Sequence, residues 1–155
     1  PTVQEIEDSL AGWKLEEMDA VVFCGYGEPA ERLPELLEVA AWLKQNYTIP
    51  VRINTNGLAD LIWGRSTAPE LAGKIDCVSI SLNATDAEEY LRLTRSKFGI
   101  GSFDAMLKFA KDCAQYVPHV VMTVVDQVTT PEEQEKARQI CAGVGATLRI
   151  RPLES

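Results

Sequence analysis

Apolar and polar positions along this chain follow two periods, one typical of helices and one typical of strands. A helical period occurs in five longer segments, residues 2–12, 33–46, 85–94, 102–116 and 130–142, and a short helix is predicted at 69–73. Strand-like apolar runs occur in five shorter segments, residues 20–24, 50–55, 75–82, 119–125 and 146–150. Because the two kinds of segment alternate, the pattern predicts an α/β fold with parallel strands joined by helical crossovers.

Capping residues mark where three of the helices should begin. Each has a threonine followed three residues later by glutamate: Thr2 and Glu5, Thr85 and Glu88, Thr130 and Glu133. Such a pair satisfies backbone N–H groups at a helix start, and Pro131 is favoured at the first helical position. Gly143 and Gly145 are expected to end the last helix near residue 142.

Three of the predicted strands are apolar on only one face. Val78, Ile80 and Leu82 alternate with Ser79, Ser81 and Asn83, and the strands at 50–55 and 146–150 show the same alternation. Neighbouring side chains of a strand point to opposite faces, so one face packs on helices while the other is polar yet central. A polar inner face suits a partial TIM-like (β/α) barrel of about five strands, formed by a single domain over residues 1–155.

Composition and charge exclude several classes of protein. The net charge is −8 with no basic patch, which argues against nucleic-acid binding. No apolar run approaches the roughly 18 residues that span a bilayer. The chain has four widely spaced cysteines, too few for a disulfide scaffold and too far apart for a zinc motif: Cys24, Cys77, Cys113 and Cys141. Cys24 and Cys77 lie in apolar runs and are expected to act as small hydrophobes, which favours a cytoplasmic protein.

A glycine-rich turn, Gly25-Tyr26-Gly27-Glu28-Pro29, follows the first predicted strand. Glycines allow close approach of a ligand to the backbone, and the carbonyls with Glu28 can receive an ammonium group. A tight strand-to-helix turn that needs glycine for its dihedral angles is the alternative. The turn is no phosphate fingerprint, because Ala30 occupies the last glycine position of G-x-G-x-x-G.

Polar residues also end the next two predicted strands, and arginines lie on the last one. Asn54 and Asn56 flank a turn, while Ser81 and Asn83 could bind hydroxyl groups such as those of a ribose. An ordinary Asn-Gly turn and a satisfied buried network are the alternatives. The paired Arg149 and Arg151 suit a carboxylate or phosphate substrate, although ion pairs with Glu28 or Asp126 would explain them as well.

Taken together, these motifs resemble the radical S-adenosylmethionine (SAM) superfamily. Its Gly-Gly-Glu-Pro motif resembles residues 25–29, its Thr-Asn-Gly turn resembles residues 55–57, and the fuller strings are closest to the TatD-associated radical SAM proteins. The resemblance implies SAM as a small-molecule cofactor and an electron donor as partner. It implies that Gly25 to Pro29 orient the methionine end of SAM. Asn54, Asn56, Ser81 and Asn83 would fix its ribose and carboxylate, and the strand end from Thr123 to Val125 would meet the adenine. Arg149 and Arg151 would contact the substrate.

The CxxxCxxC motif of that family, which holds three irons of a [4Fe–4S] cluster, is missing from this sequence, as is the family's first strand. The expectation is therefore a fragment of a core that, with its cluster segment, would reductively cleave SAM to a 5′-deoxyadenosyl radical acting on an unknown substrate. The fragment itself is expected to be inactive and to expose an edge strand that could dimerise. Two alternatives stay open: a non-catalytic degenerate barrel that binds SAM or a partner, and an aldolase-like barrel with a phosphate loop near Gly143 and Gly145.

Overall fold

The computed structural model describes residues 2–12, 20–24, 28–125 and 130–152. Five strands form one sheet: β1 (Val21–Phe23), β2 (Val51–Thr55), β3 (Cys77–Ser81), β4 (His119–Val125) and β5 (Thr147–Arg151). Six α-helices accompany them in the described residues: α1 (Val3–Ala11), α2 (Leu33–Asn46), α3 (Ala59–Trp63), α4 (Ala87–Thr94), α5 (Ser102–Tyr116) and α6 (Pro131–Val144). None of these helices has the length and apolar content that crossing a membrane requires.

The strands lie side by side in chain order, β1-β2-β3-β4-β5, and every neighbouring pair is parallel. A doubly wound sheet would instead reverse its strand order at a switch point. Winding in one direction is how a (β/α) barrel is built. The predicted α/β class and the five parallel strands of a partial TIM-like barrel are therefore confirmed.

The two faces of the sheet differ in burial, as the alternation predicted. Val51, Ile53 and Thr55 of β2 are buried, while Arg52 and Asn54 between them are half-buried. β3 has the same pattern, with Val78 and Ile80 buried. The buried apolar residues of both strands belong to one hydrophobic core that includes residues of α2 and α5. We call the half-buried side the open face of the sheet. Each change of register by one residue would reverse these faces, so burial of one side fixes the strand alignment.

The predicted helix starts at Thr2 and Thr130 are confirmed, whereas the start of α4 and the end of α6 differ from the prediction. The side chains of Thr2 and Thr130 cap α1 and α6, and Thr130 with Glu133 forms a complete capping box. The expectation of a Thr85 cap was wrong, because Asp86 accepts the Glu89 N–H at 2.8 Å and α4 begins at Ala87. A carboxylate one residue later thus replaces the hydroxyl as the cap.

The end of α6 and one short helix also differ from the expectation. Gly143 lies inside α6, which continues to Val144 and ends at Gly145 with a φ of 82°. Only a left-handed C-terminal residue needs glycine, so Gly145 alone ends the helix. The predicted helix at 69–73 is a 3-10 turn, Ala68–Leu71, and α3 was not predicted, because five residues are too few to show a helical period.

The four cysteines occupy different environments. Cys24 is exposed just after β1, which corrects the expectation that it is a buried small hydrophobe, and Cys77 is half-buried on the open face. Cys113 and Cys141 are buried instead. Burial raises the pKa of the Cys141 thiol to about 11 and raises the pKa of Cys113 beyond it. Both thiols therefore stay protonated at neutral pH.

Labelling of the folded protein with a thiol reagent at pH 8 should distinguish these cysteines. We expect Cys24 to react first and Cys141 about a hundredfold more slowly than an unperturbed thiol, because each unit of pKa lowers the thiolate fraction tenfold. Cys113 should react only after unfolding. Mass spectrometry of the labelled peptides at timed intervals measures the order, and early modification of Cys113 or Cys141 would contradict the packing of α5 and α6.

Candidate functional site

The strand register brings most of the predicted site residues to the same face and the same edge. Asn54 is paired with Ser79, Ser81 with Thr123, and Thr123 in turn with Arg149. The carboxyl ends of all five strands lie along one edge because the strands are parallel, and ligand sites of such sheets collect there. Asn56, Asn83 and Val125 lie at that edge, at the ends of β2, β3 and β4.

Glu28 joins the segment after β1 to the end of β2. Its carboxylate accepts hydrogen bonds from the Ala30 N–H at 2.8 Å, the Thr55 hydroxyl at 2.6 Å and the Asn56 N–H at 2.7 Å. We call this arrangement the Glu28 clasp. Three protein donors occupy most of the acceptor sites of the carboxylate. Glu28 therefore acts on the site chiefly by positioning the two strand ends.

Two hydrogen bonds within the turn after β2 also fix its shape. The Thr55 hydroxyl accepts the Gly57 N–H at 3.1 Å, and the Asn56 side chain accepts the Leu58 N–H at 3.0 Å in an Asx turn. Gly57 has a φ of 79°, and a Cβ placed there would lie 2.8 Å from Met106 Cγ. The turn thus requires glycine for both its dihedral angle and its packing on α5.

The end of β3 has a backbone shape that presents two polar side chains. The Leu82 and Asn83 N–H groups both donate to the Thr123 carbonyl, at 2.9 and 3.3 Å. Asn83 adopts a left-handed conformation with a φ of 66°, which asparagine tolerates better than most residues. Within the described residues the Ser81 and Asn83 side chains make no hydrogen bond with the protein. Their polar groups are free for a ligand.

The remaining predicted residues have mixed placements. Gly25, Tyr26, Gly27 and the alternative partner Asp126 lie outside the described residues. Pro29 begins a 3-10 turn, Pro29–Arg32, which the Trp63 indole holds through a hydrogen bond to the Ala30 carbonyl at 2.6 Å. Thr123 is buried and Val125 half-buried in β4, while Arg149 and Arg151 are exposed on β5. Glu28, engaged in its clasp, makes no ion pair with either arginine in the described part of the chain.

Sequence reasoning missed two residues of this site. Thr55 was noted as part of the Thr-Asn-Gly turn but was given no role of its own, yet its hydroxyl makes the shortest bond of the clasp. Tyr90 of α4 is buried, and its burial together with the negative charge of Glu28 raises the pKa of its phenol. No local motif marks Tyr90, because its nearness to Glu28 arises from the packing of α4.

The described residues fit a small polar cofactor and do not fit an iron–sulfur cluster. In residues 2–12, 20–24, 28–125 and 130–152, no three His, Cys, Asp or Glu side chains are grouped closely enough to hold a metal ion. A [4Fe–4S] cluster needs several cysteine thiolates. The free polar groups of Ser81 and Asn83, beside the clasp, do suit the hydroxyl and carboxylate groups of SAM.

Comparison with solved structures supports the fold. A radical SAM methyltransferase from Sphaerobacter thermophilus superposes with a TM-score of 0.53 at 15% identity, covering 100% of this chain and 59% of that chain. At this identity the likeness shows the fold alone, and this chain spans about three fifths of the other protein. Prolyl oligopeptidase B from Galerina marginata (apo protein) is 16% identical with a TM-score of 0.35, covering 83% of this chain and 22% of that one, and carries no argument.

Comparison of sequences identifies the family. A search of curated proteins finds no significant match. The profile of the Radical SAM superfamily, however, matches residues 1–140, which is most of the chain. That match agrees with the order of motifs along the sheet edge and with the singly wound parallel sheet. The chain therefore belongs to the radical SAM superfamily.

Proposed function

We propose that this chain forms the SAM-binding side of a radical SAM enzyme. The observation that carries the proposal is the carboxyl edge of the sheet, where the Glu28 clasp lies beside the free polar side chains of Ser81 and Asn83. SAM, bound with a [4Fe–4S] cluster, supplies the 5′-deoxyadenosyl radical in this family.

Each residue has a defined part in binding SAM. Ser81 and Asn83 hydrogen-bond its ribose and carboxylate, and the amide nitrogen of Asn56 does the same from the turn after β2. The end of β4, from Thr123 to Val125, packs against the adenine. Gly25 to Pro29 orient the methionine end, with Glu28 acting as a positioning residue through its clasp. Asn54 lies one row deeper on the open face.

The cluster ligands must come from outside the described residues, so no step of the reaction is derived through the cluster. We propose that the 155-residue chain binds SAM without cleaving it, and that an electron donor serves the complete enzyme. The finer resemblance to TatD-associated proteins, the single domain over residues 1–155, the cytoplasmic location and an edge-strand dimer remain predictions. Sedimentation velocity of the chain tests the dimer.

SAM binding by the chain is the first test of this proposal. We expect calorimetric titration to detect binding, and Ser81→Ala to weaken it about tenfold, which corresponds to one lost hydrogen bond of about 1.4 kcal/mol. Ser66→Ala, at an exposed loop position, is the matched control and should leave the affinity unchanged. Absence of SAM binding, or equal affinities of the two variants, would contradict the proposed site.

The catalytic part of the proposal is tested with a longer protein. The gene should encode a CxxxCxxC segment upstream of Pro1, and the protein that includes it should form 5′-deoxyadenosine from SAM after anaerobic cluster reconstitution. If the gene encodes no such segment and the chain still binds SAM, the hypothesis of a non-catalytic barrel that binds SAM replaces the hypothesis of a radical SAM enzyme. The aldolase-like alternative is weakened by the structure, because Gly143 and Gly145 lie at the C-terminal end of α6, where the helix dipole repels a phosphate.

A further inference from the structure

The open face of the sheet carries a charge opposite to that of the whole chain. The net charge is −8, yet the charged residues that the described strands place on this face are arginines: Arg52 on β2, Arg149 and Arg151 on β5. No Asp or Glu lies on the open face of a described strand. Charges scattered over an acidic surface would be expected to place carboxylates as well as arginines on this face.

These arginines also differ from the ion-paired arginines of the protein. Arg65, Arg92 and Arg138 pair with Glu70, Glu89 and Glu135, and all three lie outside the sheet. The side chains of Arg52, Arg149 and Arg151 make no hydrogen bond or ion pair with the described residues. Asp76 precedes Cys77, the register partner of Arg52 on β3, but it is held on the helix side by Lys44 and accepts a hydrogen bond from the Val51 N–H.

Arg52 and Asn54 each have a buried polar atom without a partner. Among the described residues, Arg52 Nε is a donor and Asn54 Oδ1 an acceptor that make no hydrogen bond. The two side chains are neighbours on the open face of β2, about 7 Å apart along the strand. Groups of this kind are stabilised by a ligand that offers an acceptor to one and a donor to the other.

We infer that the open face binds a small substrate that carries an oxyanion, a carboxylate or a phosphate, with Arg52 as its main anchor and Asn54 accepting a donor of the same molecule. This deepens, and rests on, the proposed function, because the substrate would then lie in the lumen below the SAM edge. A turn of the flexible Arg52 side chain presents its planar fork to the anion, which it can bind through two hydrogen bonds. Arg149 lies three strands from Arg52 and four residues nearer the carboxyl edge, a separation of about 19 Å along the sheet. Its contribution to binding is therefore secondary to that of Arg52.

The experiment uses the 155-residue chain and two probes at constant ionic strength, citrate for carboxylates and inorganic pyrophosphate for phosphates. NMR spectra of the arginine Nε–Hε groups report on Arg52 directly. We expect its signal to shift on titration with one probe or both, and the stronger probe identifies the class of oxyanion. Arg52→Gln should weaken binding at least about tenfold, and Arg149→Gln about threefold, as expected for loss of a half-buried and of an exposed charge contact.

Three controls make the result decisive. Arg138→Gln removes an arginine of α6 away from the sheet and should leave binding unchanged. Arg52→Lys keeps the positive charge but lacks the planar guanidinium group. It replaces Arg52→Gln as the test variant if Arg52→Gln does not fold. Titration with a single-stranded oligonucleotide distinguishes a small ligand from a nucleic acid.

Each outcome decides the inference. It fails if neither probe binds, if Arg52→Gln and Arg138→Gln behave alike, or if only the oligonucleotide binds. The separate SAM titration distinguishes this failure from failure of the proposed function, since SAM binding without anion binding overturns only the inference. Anion binding without SAM binding overturns only the proposed function.

Discussion

Gly57→Ala is expected to lower the free energy of unfolding by about 3 kcal/mol, from backbone strain and overpacking together. Gly57 has a φ of 79°, a conformation that costs an alanine about 1 kcal/mol or more. The new methyl group would also lie 2.8 Å from Met106 Cγ and 2.9 Å from Ile80 Cγ2. Both contacts lie in the core between β3 and α5, where little space exists for adjustment.

Gly64→Ala is the matched control for this prediction. Gly64 also has a left-handed φ, 66°, but a Cβ there would meet no atom within 4 Å. We expect a loss of about 1 kcal/mol from the dihedral angle alone. Denaturant unfolding of both variants gives the difference, which isolates the packing at Gly57. If Gly57→Ala and Gly64→Ala lower the free energy of unfolding equally, Gly57 does not pack closely against Met106 of α5.

The elements of this fold were largely readable from the chain because their signals are local. The alternation of Val78, Ile80 and Leu82 with serines places one face of β3 against helices wherever the strand lies. The parallel order follows from helices long enough to cross back over the sheet. α5 and β4 agree with the predicted ranges at both ends, since their apolar periods are long and uninterrupted.

The contacts of the site were not readable, because they join residues far apart in sequence. Glu28 and Thr55 are 27 residues apart, and nothing near either one indicates the other. The expectation that Glu28 serves a ligand followed from its motif, whereas the structure engages its carboxylate with Ala30, Thr55 and Asn56. Tyr90 approaches Glu28 only through the packing of α4. The sequence showed Arg52 only as one of several polar positions on its strand. That its Nε atom is buried without a hydrogen-bond acceptor among the described residues follows only from the structure.

Glu28→Ala should destabilise the protein by about 3 kcal/mol, since it leaves two N–H groups and a hydroxyl without their acceptor. The Ala30 and Asn56 N–H groups lose bonds of 2.8 and 2.7 Å, and the segment after β1 loses its tie to β2. We expect SAM affinity to fall with it, because the clasp holds both strand ends of the proposed site.

Glu28→Gln is the sharper variant, because it keeps the size of the side chain. The carboxylate accepts on both oxygens, Oε1 from Asn56 and Oε2 from Ala30 and Thr55. A glutamine has one acceptor oxygen, so in either orientation its NH₂ group faces a backbone N–H donor. The loss should therefore be about 2 kcal/mol despite the similar shape. Glu38→Gln, on the exposed face of α2, is the control and should change stability by less than about 0.5 kcal/mol.

A double-mutant cycle with Thr55→Val tests the clasp itself. If the Thr55 hydroxyl and the Glu28 carboxylate are partners, Glu28→Gln and Thr55→Val should couple by about 1 kcal/mol in denaturant unfolding. Simple additivity of the two losses would mean that the two groups act separately. A SAM affinity that falls in Glu28→Gln while stability stays that of the parent chain would assign Glu28 to the ligand instead of the clasp, because a positioning residue cannot change binding without changing the contacts that it holds.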